Sequence, residues 1–178
     1  MECSLLWSRG MSTPPPRSVI TLALLFITFV VALSPARASD DDSRARRALQ
    51  RALELTSLEA GVRVLFIEPD LAPRTLPIGG LDAFVIREPS GTPRPIIYIN
   101  RRSEIVRRAV EGTEFYVVVL AAVIHHEAQH LAGASEAEAR RAEYAFFQSL
   151  VSRGYVQFDL GFRYLQLLSS QIGTSPSE

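Results

Sequence analysis

Hydrophobic spacing along the chain switches from a helical period to a strand period and back again. Ala45, Ala48, Leu49, Ala52, Leu53 and Leu55 recur at helical spacing with arginines opposite, which predicts an ordinary packing helix. Asp40, Asp41, Asp42 and Ser43 precede them; acids there complement the helix dipole, and Asp42 or Ser43 is the expected cap. Gly61 interrupts. Val62 to Glu68 (VRVLFIE), Asp82 to Glu88 (DAFVIRE) and Arg94 to Asn100 (RPIIYIN) are short and rich in β-branched residues, so they predict three strands. Residues 69–80, with Pro69, Pro73, Pro77, Gly79 and Gly80, read as a loop. Pro89 to Pro93 reads as a turn that makes the second and third strands a hairpin.

Helical spacing then resumes. Ser103 is placed to cap a short helix, Glu104 to Glu111, which Gly112 and Thr113 end. From Glu114 a longer helix starts, and its stretch from Val117 to Ile124 is apolar on every side, so this helix is expected to be buried. A further helix, Glu136 to Arg153, carries Ala139, Ala142, Phe146 and Leu150 on one stripe, and Phe158 to Leu168 forms a last amphipathic helix. The tail from Gly173 is polar. The expected class is α+β: a small three-stranded sheet packed on one buried helix, followed by a helical hairpin and a C-terminal helix.

Residues 1–38 read as a secretory signal peptide. Arg9 and Arg17 supply positive charge, Val19 to Leu33 is an uncharged apolar run, and Ala36-Arg37-Ala38 is an A-x-A cleavage pattern. An uncleaved membrane anchor is the competing reading, but the run is shorter than the roughly 20 residues a spanning helix needs. Residues 39–178 are then one domain, large enough for its own core. The protein is expected to be exported, periplasmic or secreted, and membrane-anchored only if the leader stays. The single cysteine, Cys3, lies in that leader, so no disulfide is expected beyond it.

Charge excludes one class of partner. All 19 basic residues are arginine, against 19 acids. A near-neutral balance offers no groove for nucleic acid. Arg101, Arg102, Arg107 and Arg108 cluster around the short helix; a solvated face is the plain reading, and a contact with a substrate carboxylate or lipid head group the sharper one.

The chemistry concentrates in six residues. The three histidines of the chain, His125, His126 and His130, all fall there, within the pattern His126-Glu127-Ala128-Gln129-His130. Positions four apart share a helix face, so His126 and His130 can address one ion, and neutral imidazole is a common Zn²⁺ ligand. Glu127 can act as general base on a metal-activated water without being a ligand. The alternative is an interfacial polar cluster that binds nothing, but a glutamate with two histidines on a buried helix is expensive without a partner. Gly133 can end the helix and let the chain turn back, which makes Glu136 the leading third ligand. Glu143, two turns later on the same face, and Glu138 remain open; Ser135 with Glu138 also reads as a capping box. His125 points about 100° from His126 and reads as an interface histidine. Of the many aromatic residues after the motif, most are expected in the core, with Tyr155 or Tyr164 as a candidate oxyanion donor.

The H-E-x-x-H stretch resembles the zincin metallopeptidases. That resemblance implies His126 and His130 as zinc ligands, Glu127 as base, and a single zincin-like domain acting on a polypeptide substrate, with a sheet edge beside the cleft to pair with extended backbone. The tail His130-x-x-Gly133-x-x-Glu136 is similar to the metzincin extension, except that its last position there is histidine or aspartate; the methionine turn of that branch has no counterpart, since the only methionines are Met1 and Met11. A glutamate on a following helix is more similar to the gluzincin branch. The expected activity is zinc-dependent peptide hydrolysis; the alternative is a metal-containing envelope module that binds a partner and cleaves nothing.

Overall fold

The computed structural model describes residues 40–68, 80–88 and 90–172. The leader, most of the loop after the first strand, Pro89 and the polar tail fall outside the described residues. The fold is α+β. Helix α1 covers 40–55, strands β1 (Arg63–Ile67), β2 (Ala83–Arg87) and β3 (Pro93–Asn100) follow, and helices α2 (Glu104–Val110), α3 (Glu114–Leu131), α4 (Glu136–Ser152) and α5 (Phe158–Ile172) complete it. No helix among the described residues is long and apolar enough to cross a membrane.

The sheet order is β1-β3-β2. β2 and β3 form the expected antiparallel hairpin, with Ala83 opposite Ile99, and β1 lies parallel to β3, with Val64 beside Ile97. The central strand holds the deepest sheet residues: Ile97 and Ile99 are fully buried, while Tyr98, on the other face, stacks on Phe84 with ring centroids 5.4 Å apart. That alternation is the strand period of two.

Helix α3 is apolar all round because it has neighbours all round. Val117, Leu120, Ala121 and Ile124 join Ile97, Ile99 and the α1 stripe in one core cluster. Val118, Val119 and Ala122 join Phe147 and Leu150 of α4 and Leu165 and Leu168 of α5 in a second. The motif helix is therefore the shared wall between two cores, and its C-terminal turns emerge where those cores meet.

Three expectations are corrected. Helix α1 already runs at residue 40, so Asp42 and Ser43 lie within its first turns rather than at a cap, and Asp42 instead accepts from Arg46 at 2.8 Å and Arg101 at 2.9 Å. The stripe on α4 is rotated: Ala139, Glu143, Phe147 and Leu150 are the buried positions, in place of Ala142 and Phe146, because Glu143 is drawn inward by partners of its own. Several aromatic residues expected in the core stand outside it; Tyr155, Phe158 and Phe162 are exposed.

Candidate metal centre

The end of α3 sets the geometry. The helix closes at Ala132, and Gly133 follows with φ +92°, a left-handed conformation that favours glycine. The Gly133 N–H donates to the His130 carbonyl at 3.1 Å and the Ala134 N–H to the Gln129 carbonyl at 2.9 Å, the paired bonds of a Schellman turn. Ser135 then caps α4 in a capping box with Glu138, whose carboxylate accepts from the Ser135 N–H at 2.8 Å. Glu138 is thereby occupied away from the histidines. The tight turn brings Glu136 back over the helix it has just left.

Three atoms converge there. The Nε2 atoms of His126 and His130 are 3.1 Å apart. Oε2 of Glu136 is 3.1 Å from His130 Nε2 and 3.5 Å from His126 Nε2. Ligands at about 2.0–2.1 Å around a tetrahedral ion stand roughly 3.3 Å from one another, so the triangle has the size of one face of a zinc site.

Protonation makes the same point. His130 Nδ1 lies 3.0 Å from the Ala134 carbonyl, which can only accept, so it carries the proton. His126 Nδ1 lies 3.1 Å from a Glu143 carboxylate oxygen, again an acceptor. Imidazoles held this way, when neutral, both present lone pairs at Nε2, and Glu136 adds a third. Three acceptors with no donor between them repel unless a cation, a divalent ion or a proton, sits among them. His126 follows that logic. Burial disfavours its charged form, but the hydrogen bond and charge of Glu143, with Glu127 and Glu136, outweigh burial and raise it above the usual histidine value.

Glu143 is buried, with 4 % of its surface exposed, and it does not join the triangle. It accepts from His126 on one oxygen and, on the other, from the Tyr164 hydroxyl at 3.1 Å. A carboxylate behind a ligand histidine fixes the tautomer and ring angle and makes the imidazole a better ligand. Tyr164 thus has its proton committed to Glu143; its own ionisation is pushed far up, by burial first and then by Glu143. Tyr155 is exposed beside Arg153, 3.2 Å from its guanidinium, and does not line the cleft. Tyr155 therefore lies away from the cleft, whereas Tyr164 lines it with its hydroxyl donated to Glu143.

Glu127, also largely buried, makes no side-chain hydrogen bond to another described residue, and it lines the same cleft as His126 and Glu136. Burial raises its carboxyl; His126 and His130 pull it down, and Glu136 and Glu143 add to the rise. Burial likewise works to raise Glu136, but His126, Arg140 and His130 hold it below the ordinary range. An unengaged base with an elevated pKa beside a cation-seeking triangle is suited to take a proton from water and to give it back.

The cleft holds about 450 Å³ and is walled by the start of β2, α3, α4 and α5. Gly80, Leu81, Asp82 and Ala83 form its sheet side, and burial raises the Asp82 carboxyl there, against a hydrogen bond from Ser103. A groove of similar size, about 500 Å³, lies beside Arg101, Arg102 and Arg107, but those arginines are ion-paired with Asp42, Glu68 and Glu111, so the basic cluster is internally neutralised. His125 faces away from the triangle and stacks on Phe146 at 4.4 Å; burial lowers its pKa.

Sequence reasoning missed Arg140, which lines the cleft and contacts Glu136 with its Nε 2.8 Å from Oε1. The signal was present as an i,i+4 acid–arginine pair. It also missed the Tyr164–Glu143 bond, which no local pattern encodes. No family model, curated protein or solved structure matches the chain.

Proposed function

We propose that the protein is an exported zinc-dependent hydrolase that cleaves peptide bonds, similar in its chemistry to the zincin metallopeptidases. The observation that carries the reading is the convergence of His126 Nε2, His130 Nε2 and Glu136 Oε2 within 3.5 Å of one another, beside a buried carboxylate. Zinc, when bound, supplies a Lewis acid that polarises the scissile carbonyl and makes water more acidic. The rest belongs to the chain. His126, His130 and Glu136 hold the ion. Glu127 accepts the proton of the attacking water and delivers it to the departing amine nitrogen. Glu143 and the Ala134 carbonyl keep both imidazoles aimed through their Nδ1 protons.

Strand β2 is the edge strand on the cleft side. Its first residue lines the cleft, and Arg87 near its far end donates to the His130 carbonyl at 3.3 Å, so the strand runs alongside the motif turn of α3. An extended polypeptide that adds to this edge is carried past the triangle in a defined direction.

The test has two stages. Metal analysis of protein purified without chelators is expected to give about one zinc per chain, lost in His130→Ala. Zinc-loaded protein is then expected to cleave an unfolded polypeptide, and Glu127→Gln to retain zinc while losing about 10²–10⁴-fold in rate. Zinc bound with equal turnover in wild type and Glu127→Gln would refute the hydrolase and leave a metal-holding module.

A further inference from the structure

The three converging atoms are not equally secured. His126 and His130 ride on a helix packed on both sides, and each has its second ring nitrogen anchored. Glu136 lies in the first turn of α4, its side chain half exposed, with three rotatable bonds. An unrestrained glutamate there spends much of its time in solvent, and ordering such a side chain opposes metal binding.

One contact restrains it outside the triangle. Arg140, one turn further along α4, places Nε 2.8 Å from Oε1 of Glu136. With Oε1 taken, Oε2 is the oxygen turned to the two imidazoles. Arg140 is held in its turn, because its Nη1 donates to Oε1 of Gln171 at 2.6 Å, near the end of α5. A planar guanidinium gripped at both edges is a rigid strut where a lysine would be a swinging point charge.

Building on the metal reading above, we propose that Arg140, braced by Gln171, is the positioning residue that makes Glu136 a metal ligand, so that the last turn of α5 takes part in holding the ion. The proposal predicts a sign opposite to simple electrostatics. A guanidinium this close to a bound cation repels it, so on charge alone its removal tightens binding. If its task is to aim Glu136, its removal weakens binding.

The experiment is a competitive zinc titration against a chromophoric chelator, with the helical circular dichroism of the metal-free proteins as a fold control. Arg140→Met is expected to bind zinc about 10–100-fold more weakly than wild type. Arg140→Lys is expected to fall between the two, and Gln171→Ala to lose a smaller factor. In a Glu136→Gln background, Arg140→Met is expected to cause no further loss, because it acts through that carboxylate. Equal or tighter binding by Arg140→Met overturns the proposal, as does an undiminished loss in the Glu136→Gln background. If Arg140→Met does not fold, Gln171→Ala decides, and binding equal to wild type overturns it. Wild-type protein that takes up no zinc overturns the ion site itself, an outcome distinct from a strut that fails while the site binds.

Discussion

Replacing Glu143 with glutamine tests how much of the site depends on a residue that touches no substrate. The buried carboxylate accepts two hydrogen bonds, from His126 Nδ1 at 3.1 Å and from the Tyr164 hydroxyl at 3.1 Å. The amide offers one acceptor and one donor group of the same shape. Tyr164 can turn its hydroxyl to accept from the new N–H₂, which leaves the amide oxygen for His126. The fold is therefore expected to survive, at a cost of about 1–3 kcal/mol for exchanging charged for neutral hydrogen bonds, within the roughly 5–15 kcal/mol of a typical domain. The imidazole loses the negative charge behind it and becomes a weaker ligand. Loss of such support weakens metal binding about 10–100-fold.

That factor is readable as a melting temperature. With free zinc at 100 times the wild-type dissociation constant, binding adds about 2.7 kcal/mol to the folded state. For a domain of this size about 3–4 °C accompany each kcal/mol, so zinc is expected to raise the wild-type midpoint by about 10 °C. In Glu143→Gln the same zinc stands at only about 1–10 times the dissociation constant and adds roughly 0.4–1.4 kcal/mol, or about 1–5 °C. Scanning calorimetry with zinc and with a chelator separates the two effects: the chelated pair gives the cost to the fold, and the zinc-induced increments give the loss at the site. A full-sized increment in Glu143→Gln would show that this carboxylate does not support the His126 ligand.

In metal-free protein, His126 is expected to titrate above the ordinary histidine value of about 6.5 and His125 below it. The signs oppose each other in stability: the His126 contribution is complete below pH 6.5 and fades as pH rises through its folded value, whereas burial of His125 penalises the fold as pH falls through 6.5. Ring-resolved imidazole NMR separates them, and the reverse order of titration would contradict the Glu143 pairing. Gly133→Ala forces a methyl group onto a residue at φ +92° with open space around it. Strain alone is expected to cost about 1 kcal/mol in urea denaturation, and zinc affinity is expected to fall as well because this turn aims Glu136. A loss of stability with unchanged zinc affinity would separate the turn from the site.

What the sequence disclosed follows how far apart in the chain the partners lie. His126 and His130 are fixed by one turn of one helix, so the helical period alone brings them together once Val117 to Ile124 marks that helix as buried. Gly133, Ser135 and Glu138 form a turn with local rules, and that turn is enough to fold Glu136 back. The short strands were legible too, because residues such as Ile97 and Ile99 alternate. The parallel pairing of β1 with β3 was not, since register between segments some thirty residues apart depends on which faces the core accepts.

Glu143 marks the boundary. By spacing it shares a helix face with Glu136 and stands as an open alternative to it as a ligand. What separates them is the approach of α4 to α3, which puts Glu143 behind a ring of His126 and leaves Glu136 in front of it. The same approach rotates the α4 stripe, burying the Glu143 carboxylate where the hydrophobic pattern would place Ala142. A buried acid costs several kcal/mol unless its partners recover it, and here the partners are a tyrosine from α5 and a histidine from α3. Each contributes a donor, one to each carboxylate oxygen. The polar interruption in an otherwise apolar interface thus becomes intelligible as the rear wall of the site: the three helices pack around Glu143 so that His126 keeps its proton on the inner nitrogen and its lone pair on the outer one. Without an ion in front, that arrangement raises the affinity of His126 for a proton. With an ion there, the same charge that drew the proton holds the metal.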